Sequence, residues 1–364
     1  MKKHIGISLY PGLHNTKEEI RDSIVLASQF GVKSVFTSLH IPEANPLNTI
    51  SDCEFLCEKA REFDMQVTAD ISPRTFSNLK ASPFDMKELV RIGLSGIRAD
   101  FGFLDDQLEA MIKNPHGMKI MINADSSINQ LKEVIDKLKT GDRVTACHNF
   151  YPRMNSGLSF EFVIDRSRYL KELGLEVAAF VASQYSKRAV VYEGLPTVEV
   201  HRHMTPAKAA RELFCTGFID QVYVGDPMPS ASELDNLRTA IEEDCLELRL
   251  EMLDNVSETE IDVAIGKIHY QPPDSGYAHV IRSSTSRNEG GVKIFPGNTV
   301  ERPLGTVTLD NVKYGRYSGE LQICLMDLPA DPRVNVIGRI TTEDLRVVDL
   351  IRYSGRFKFV RKEK

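Results

Sequence analysis

Eight short runs rich in Val, Ile and Phe recur through the first two-thirds of the chain at intervals of roughly 25–40 residues, with segments of helical period between them. Parallel strands joined by crossover helices produce this pattern, since each crossover must return the chain to the same end of the sheet and cover one of its faces. The predicted strands are Ile5–Leu9, Ser34–Leu39, Gln66–Ile71, Gly96–Phe101, Lys119–Asn123, Val144–Phe150, Glu176–Ala182 and Gln221–Gly225. Eight such units close a barrel, so the fold class is α/β with an N-terminal (β/α)8 TIM barrel.

Lys17–Phe30, Ser51–Phe63, Ser127–Leu138 and Phe160–Leu173 place apolar residues at i, i+3, i+4 and i+7, the spacing of helices that coat a barrel. Thr16 with Glu19, and Ser230 with Glu233, have the S/T-x-x-E form of a capping box. Gly31, Gly93 and Gly174 stand where a left-handed cap would end a helix just before a strand. A last barrel helix is predicted over Ser232–Leu253. Beyond it come short alternating runs, Gly305–Leu309, Glu320–Met326 and Asn335–Ile340, which read as a small, mostly antiparallel β-barrel or sandwich domain. The expected division is a barrel over residues 1–254 and a β domain over 255–364, joined at the polar Asp254–Thr259 stretch.

Composition removes several function classes. No apolar run approaches the ~18 residues of a membrane span, and the net charge of −6 argues against a nucleic-acid partner. The six cysteines, Cys53, Cys57, Cys147, Cys215, Cys245 and Cys324, show no disulfide framework. The opening Met1-Lys2-Lys3-His4 leads into an apolar run too short for a signal peptide, so the cytoplasm is the expected compartment. There is no Gly-x-Gly-x-x-Gly, P-loop or Gly-x-Ser-x-Gly sequence, and no cofactor is expected.

In a barrel of this kind the strand ends and the loops after them build the site. Glu43 follows strand two, Asp70 ends strand three and Asp100 ends strand four, so three carboxylates meet on neighbouring strands. Adjacent strands lie ~4.8 Å apart, which allows the carboxyl separations that glycoside hydrolysis requires. Asn123 ends strand five, and strand six runs into His148, Asn149, Tyr151 and Arg153, a set suited to sugar hydroxyls and an anion. The long loop after strand seven holds Lys187-Arg188, Glu199 and Arg202; Arg202 is a candidate anion holder and Glu199 a hydrogen-bonding or acid–base candidate. His201 and His203 lack a third ligand at suitable spacing, and no metal is assigned. His279, Arg282, Arg287, Arg302 and the run Asp310–Tyr317 of the β domain are read equally as ligand contacts or as surface or interdomain pairs.

The segments Phe36–Glu43, Asp70–Pro73, Gly96–Phe103, His148–Arg153, Glu193–Arg202 and Asp310-Asn311 together resemble the 6-phospho-N-acetylmuramidases of bacterial cell-wall recycling over the full length. Asn155–Leu158 and Ala124–Ser126 depart mildly from that family's pattern. The resemblance implies a TIM barrel followed by a cyclophilin-like β domain. It also implies hydrolysis of N-acetylmuramic acid 6-phosphate linked to N-acetylglucosamine, a doubly anionic substrate for Arg153, Arg202 and an arginine of the second domain. Asp70, Asp100 and Glu43 are the residues from which the acid and its partner are expected. Two rivals stay open at the level of sequence: a phosphosugar-binding sensor, and a metal-dependent hydrolase or isomerase using His201 and His203.

Overall fold

Side chains two apart on a strand share a face, and this rule organises the barrel. Its strands are β1 (His4–Ser8), β2 (Ser34–Ser38), β3 (Gln66–Ile71), β4 (Gly96–Ala99), β5 (Lys119–Asn123), β6 (Val144–Cys147), β7 (Glu176–Val181) and β8 (Gln221–Pro227). They pair in parallel in chain order, and β1 closes on β8. The structure is a computed structural model and describes residues 3–13, 15–41, 46–126, 132–133, 144–272, 275–287 and 293–362. The helix expected over Ser127–Leu138 lies outside the described residues except at 132–133.

The barrel interior is a packed layer of Phe36, Met121, Cys147, Ala178, Phe180 and Tyr223, with Phe150 lying against it. Gly6 is required there: a Cβ at this position would lie 2.2 Å from the Tyr223 ring, so the missing side chain on β1 makes the space that Tyr223 fills. On the same inward face, two residues nearer the C-terminal end, the register Ser38↔Asp70↔Arg98 continues the alternation with polar groups. The site therefore stands on an apolar floor.

Both capping boxes form. The Thr16 hydroxyl accepts from the Glu19 N–H and the Glu19 carboxylate from the Thr16 N–H, and Ser230 and Glu233 make the same exchange. Gly31, Gly93 and Gly174 all have positive φ after their helices. Cys53 and Cys57 are buried on the helix Pro46–Arg61.

The predicted helix Ser232–Leu253 is two elements. A helix spans Ala231–Glu243, the chain turns at Asp244 with φ +47°, and β9 runs over Leu246–Met252. The physical reason is a change of period: Leu234, Leu237 and Ala240 line one helical face, whereas Leu246, Leu248 and Leu250 alternate as buried strand residues. By contacts, the chain divides into one unit of Met1–Phe214 and Phe218–Glu242 and another of Cys215–Gly217 and Glu243–Lys364. The second unit thus takes in β9, ahead of the expected boundary at 255.

That second unit carries β10 (Ile268–Tyr270), β11 (Val280–Arg282), β12 (Thr306–Asp310), β13 (Leu321–Cys324), β14 (Val334–Ile340) and β15 (Arg356–Arg361). With β9 they form a seven-stranded sheet in the order β10-β15-β9-β14-β12-β13-β11. It is antiparallel apart from the parallel pair β9–β15. Buried Asn311 turns the chain after β12, its Oδ1 accepting from the Lys313 N–H at 3.0 Å and its amide donating to Asn335 at 2.8 Å.

Candidate active site

Asp70 and Arg98 are neighbours in register on β3 and β4, and Asp100 follows β4 directly. One nitrogen of Arg98, Nη1, donates to Asp70 at 2.9 Å and to Asp100 at 3.1 Å. His40, just after β2, brings its Nε2 to 3.8 Å from Asp70 and 3.6 Å from Asp100. One ligating atom from each of His40, Asp70 and Asp100 lies within 4.8 Å of the other two. This trio is also the group of donors that could hold a metal ion; the cation that the fold itself supplies between the two carboxylates is Arg98. Burial pushes the Asp70 carboxyl above its ordinary range against the pull of Arg98, and the charge of Asp100 adds to that rise.

A second cluster adjoins the first through Asn149. Arg98 Nη2 donates to Asn149 Oδ1, and the Asn123 side-chain amide reaches the same oxygen at 3.5 Å. The Asn149 N–H donates at 2.9 Å to Asp125, which also pairs with His148 Nδ1 at 2.7 Å and accepts from the Tyr151 hydroxyl at 3.3 Å. Burial alone would raise the Asp125 carboxyl, but the hydrogen bonds from His148 and from the Asn149 N–H hold it below its ordinary value. Burial and the facing Asp125 push the Tyr151 hydroxyl up to about 12. His148 is fully buried and turns its Nε2 to Ser167 at 2.9 Å, so it braces Asp125 from beneath.

Arg202 and Glu199 take another place. Arg202 is 1% exposed, and its guanidinium donates to both Glu199 oxygens (2.7 and 2.6 Å) and to the carbonyls of Tyr151, Gly194 and Arg153 (3.0, 3.0 and 3.1 Å). No N–H of its fork is left for a ligand, which corrects the anion-holding role expected of it. Glu199 also accepts from the backbone N–H of Asn155 and Gly157, and its carboxyl is lowered to about 2, first by Arg202, so it stays ionised at neutral pH. Gly157 allows this approach, since a Cβ there would lie 2.6 Å from the Glu199 carboxylate and 2.9 Å from its backbone. The pair ties the loop after β6 to the loop after β7.

The Arg153 side chain is exposed, and Glu43 lies outside the described residues. His201 is buried against Glu212 at 2.9 Å whereas His203 is exposed, so the two do not converge as a metal pair. In the second unit Arg282 and Arg287 both pair with Glu320, and Arg302 donates to the Pro329 carbonyl. Reading the sequence by strand ends misses His40, Arg98 and Asp125 as site members. The available signal is Arg98, a charge at an inward position of a buried strand.

The family pattern described as "6-phospho-N-acetylmuramidase, N-terminal" matches residues 5–239, and "6-phospho-N-acetylmuramidase, C-terminal" matches residues 246–360. The chain belongs to the 6-phospho-N-acetylmuramidase family. It is a glycoside hydrolase, and its barrel and second sheet are the two regions that the family defines. The crystal structure of an uncharacterized B. cereus protein is similar, with 29% identity, 99% of this chain and 100% of that one covered, and a TM-score of 0.84. A conserved Enterococcus faecalis protein with an unknown function is 31% identical over 99% of this chain and 96% of its own, with a TM-score of 0.69. No curated protein matches the chain. Among the described residues of this family member, no helix is long and apolar enough to cross a membrane.

Proposed function

We propose that the chain cleaves the bond between N-acetylmuramic acid 6-phosphate and N-acetylglucosamine in the cytoplasm, as a step in peptidoglycan recycling. The observation that carries this reading is the Asp70–Asp100 pair, two carboxylates within 4.8 Å that share Arg98 at the C-terminal end of the barrel. Free, buried cysteines support a reducing compartment.

Asp70, whose proton is held more tightly by burial, is the acid: it protonates the glycosidic oxygen as the C1–O bond breaks and N-acetylglucosamine leaves. Asp100, kept beside Arg98, attacks C1 to form a glycosyl ester. Water then gives its proton to Asp70 and displaces Asp100. Carboxyl groups ~5–5.5 Å apart serve retaining glycosidases, whereas inverting ones need ~6.5–9.5 Å to admit water; an oxygen of Asp70 and one of Asp100 lie within 4.8 Å of each other, which favours retention. Asn123, Asn149 and Tyr151 line the neighbouring strand ends as partners for sugar hydroxyls, with Asp125 and His148 fixing them.

The test is proton NMR of N-acetylglucosamine release from the 6-phosphorylated disaccharide, following the anomer of the muramyl product as it first appears. Retained configuration is the expected result, with turnover unchanged by a chelator and lost in Asp100→Asn. First-formed product of inverted configuration would remove Asp100 from the nucleophile's role. Chelator-sensitive turnover restored by a divalent cation would favour a metal at His40, Asp70 and Asp100. Binding of the disaccharide without hydrolysis would favour a sensor.

A further inference from the structure

Arg188 lies on the loop between β7 and β8, where TIM barrels commonly place their phosphate sites. Its guanidinium carbon is 4.7 Å from the centre of the Tyr10 ring and 5.0 Å from that of Phe150. Phe150 follows Asn149 of the site and stands edge-on against Phe36 and Phe180 of the barrel floor. Tyr10 is buried and donates its hydroxyl to the Gly225 carbonyl at 2.7 Å. Two rings of the barrel mouth thus flank a half-buried cation.

Such ring contacts occupy none of a guanidinium's N–H groups, whose edges grip an oxyanion in bidentate fashion. Among the described residues, no carboxylate or carbonyl accepts from the Arg188 side chain, and its Nε is buried without a partner. Asp226, the nearby acid, is committed to backbone: one oxygen accepts from the Arg188 N–H at 3.0 Å and the other from Ser183 and Leu195 at 3.0 and 3.1 Å. It positions Arg188 without pairing with the guanidinium. A half-buried guanidinium with one buried, unpaired N–H, in a chain of net charge −6, calls for an anion from outside the protein.

We propose that Arg188 is the anchor for the phosphate monoester of the substrate, filling the place that buried Arg202 does not. This rests on the phosphosugar reading above. It adds that discrimination for the phosphorylated sugar is made at the β7–β8 loop, by one guanidinium held between two rings.

The test compares wild type, Arg188→Lys and Arg188→Met on the 6-phosphorylated and unphosphorylated disaccharides, together with calorimetric titration of inorganic phosphate into each protein. The expected loss for Arg188→Met is about 10²-fold in kcat/KM on the phosphorylated sugar, mostly in KM, with little change on the unphosphorylated one. Arg188→Lys, which keeps charge without the fork, recovers part of the loss and controls for folding. Phosphate binds wild type and not Arg188→Met. Equal losses on both sugars, as an anchor for the lactyl carboxylate or a purely structural role would give, overturn the proposal, as does unchanged phosphate binding by Arg188→Met. Wild type that binds phosphate through Arg188 but hydrolyses neither sugar would sink the hydrolase reading and leave the anchor standing.

Discussion

Asp70→Asn is expected to lower turnover by about 10²–10⁴-fold, the range for loss of a positioned general acid, without lowering the melting temperature at pH 7. Asparagine has nearly the shape of aspartate but no proton to give. Stability moves the other way because the fold raises the Asp70 carboxyl above its ordinary 3.8. A group raised in the folded state lends stability below its unfolded value and loses it as pH climbs through the folded one. The charged form of Asp70 is therefore a strain on the fold that a neutral amide relieves, while Arg98 keeps Asp100 and Asn149 as partners. The gap in melting temperature between variant and wild type should close as pH falls and Asp70 itself becomes neutral. More than a tenth of wild-type turnover in the variant would remove Asp70 from the acid's role.

The largest expected stability effect is at Glu199. Glu199→Ala leaves the Arg202 guanidinium buried with carbonyl partners alone and strips acceptors from the Asn155 and Gly157 N–H groups. Breaking one side of a buried ion pair costs about 3–5 kcal/mol, and partial exposure of the Glu199 side chain places this case near the lower end. With the carboxyl lowered from 4.5 to about 2, its contribution is complete above pH 4.5 and fades as pH falls toward 2. Urea denaturation of wild type and variant at pH 7 and pH 3 measures both size and pH dependence. A difference under about 1 kcal/mol at pH 7 would show that the two loops are held together by other contacts.

Much of this was readable in the chain. The periodicity places all eight barrel strands to within a few residues, and adjacency of β3 and β4 is enough to bring Asp70 and Asp100 together. What sequence withholds is direction. Glu199 and Arg202 form a charged stretch on a loop, and nothing local says that the fork turns inward to Glu199 and a set of backbone carbonyls. Arg188 shows the opposite case: an apparently solvated Lys-Arg pair gains its surroundings from Tyr10 and Phe150, rings distant in the chain that only barrel closure brings together. The missed break at Asp244 is different, for the shift from helical to alternating spacing is present in the residues and is obscured by the continuous run of leucines and acids.

That break governs how the molecule can be divided. β9 is the third of seven strands, with two on one side of it and four on the other. A protein cut at the polar stretch after residue 254 would carry away this strand with the barrel and leave β14 and β15 facing an empty position, each with an unpaired edge open to other chains. The seven-stranded sheet stays whole only after a cut between the helix end at Glu243 and Leu246.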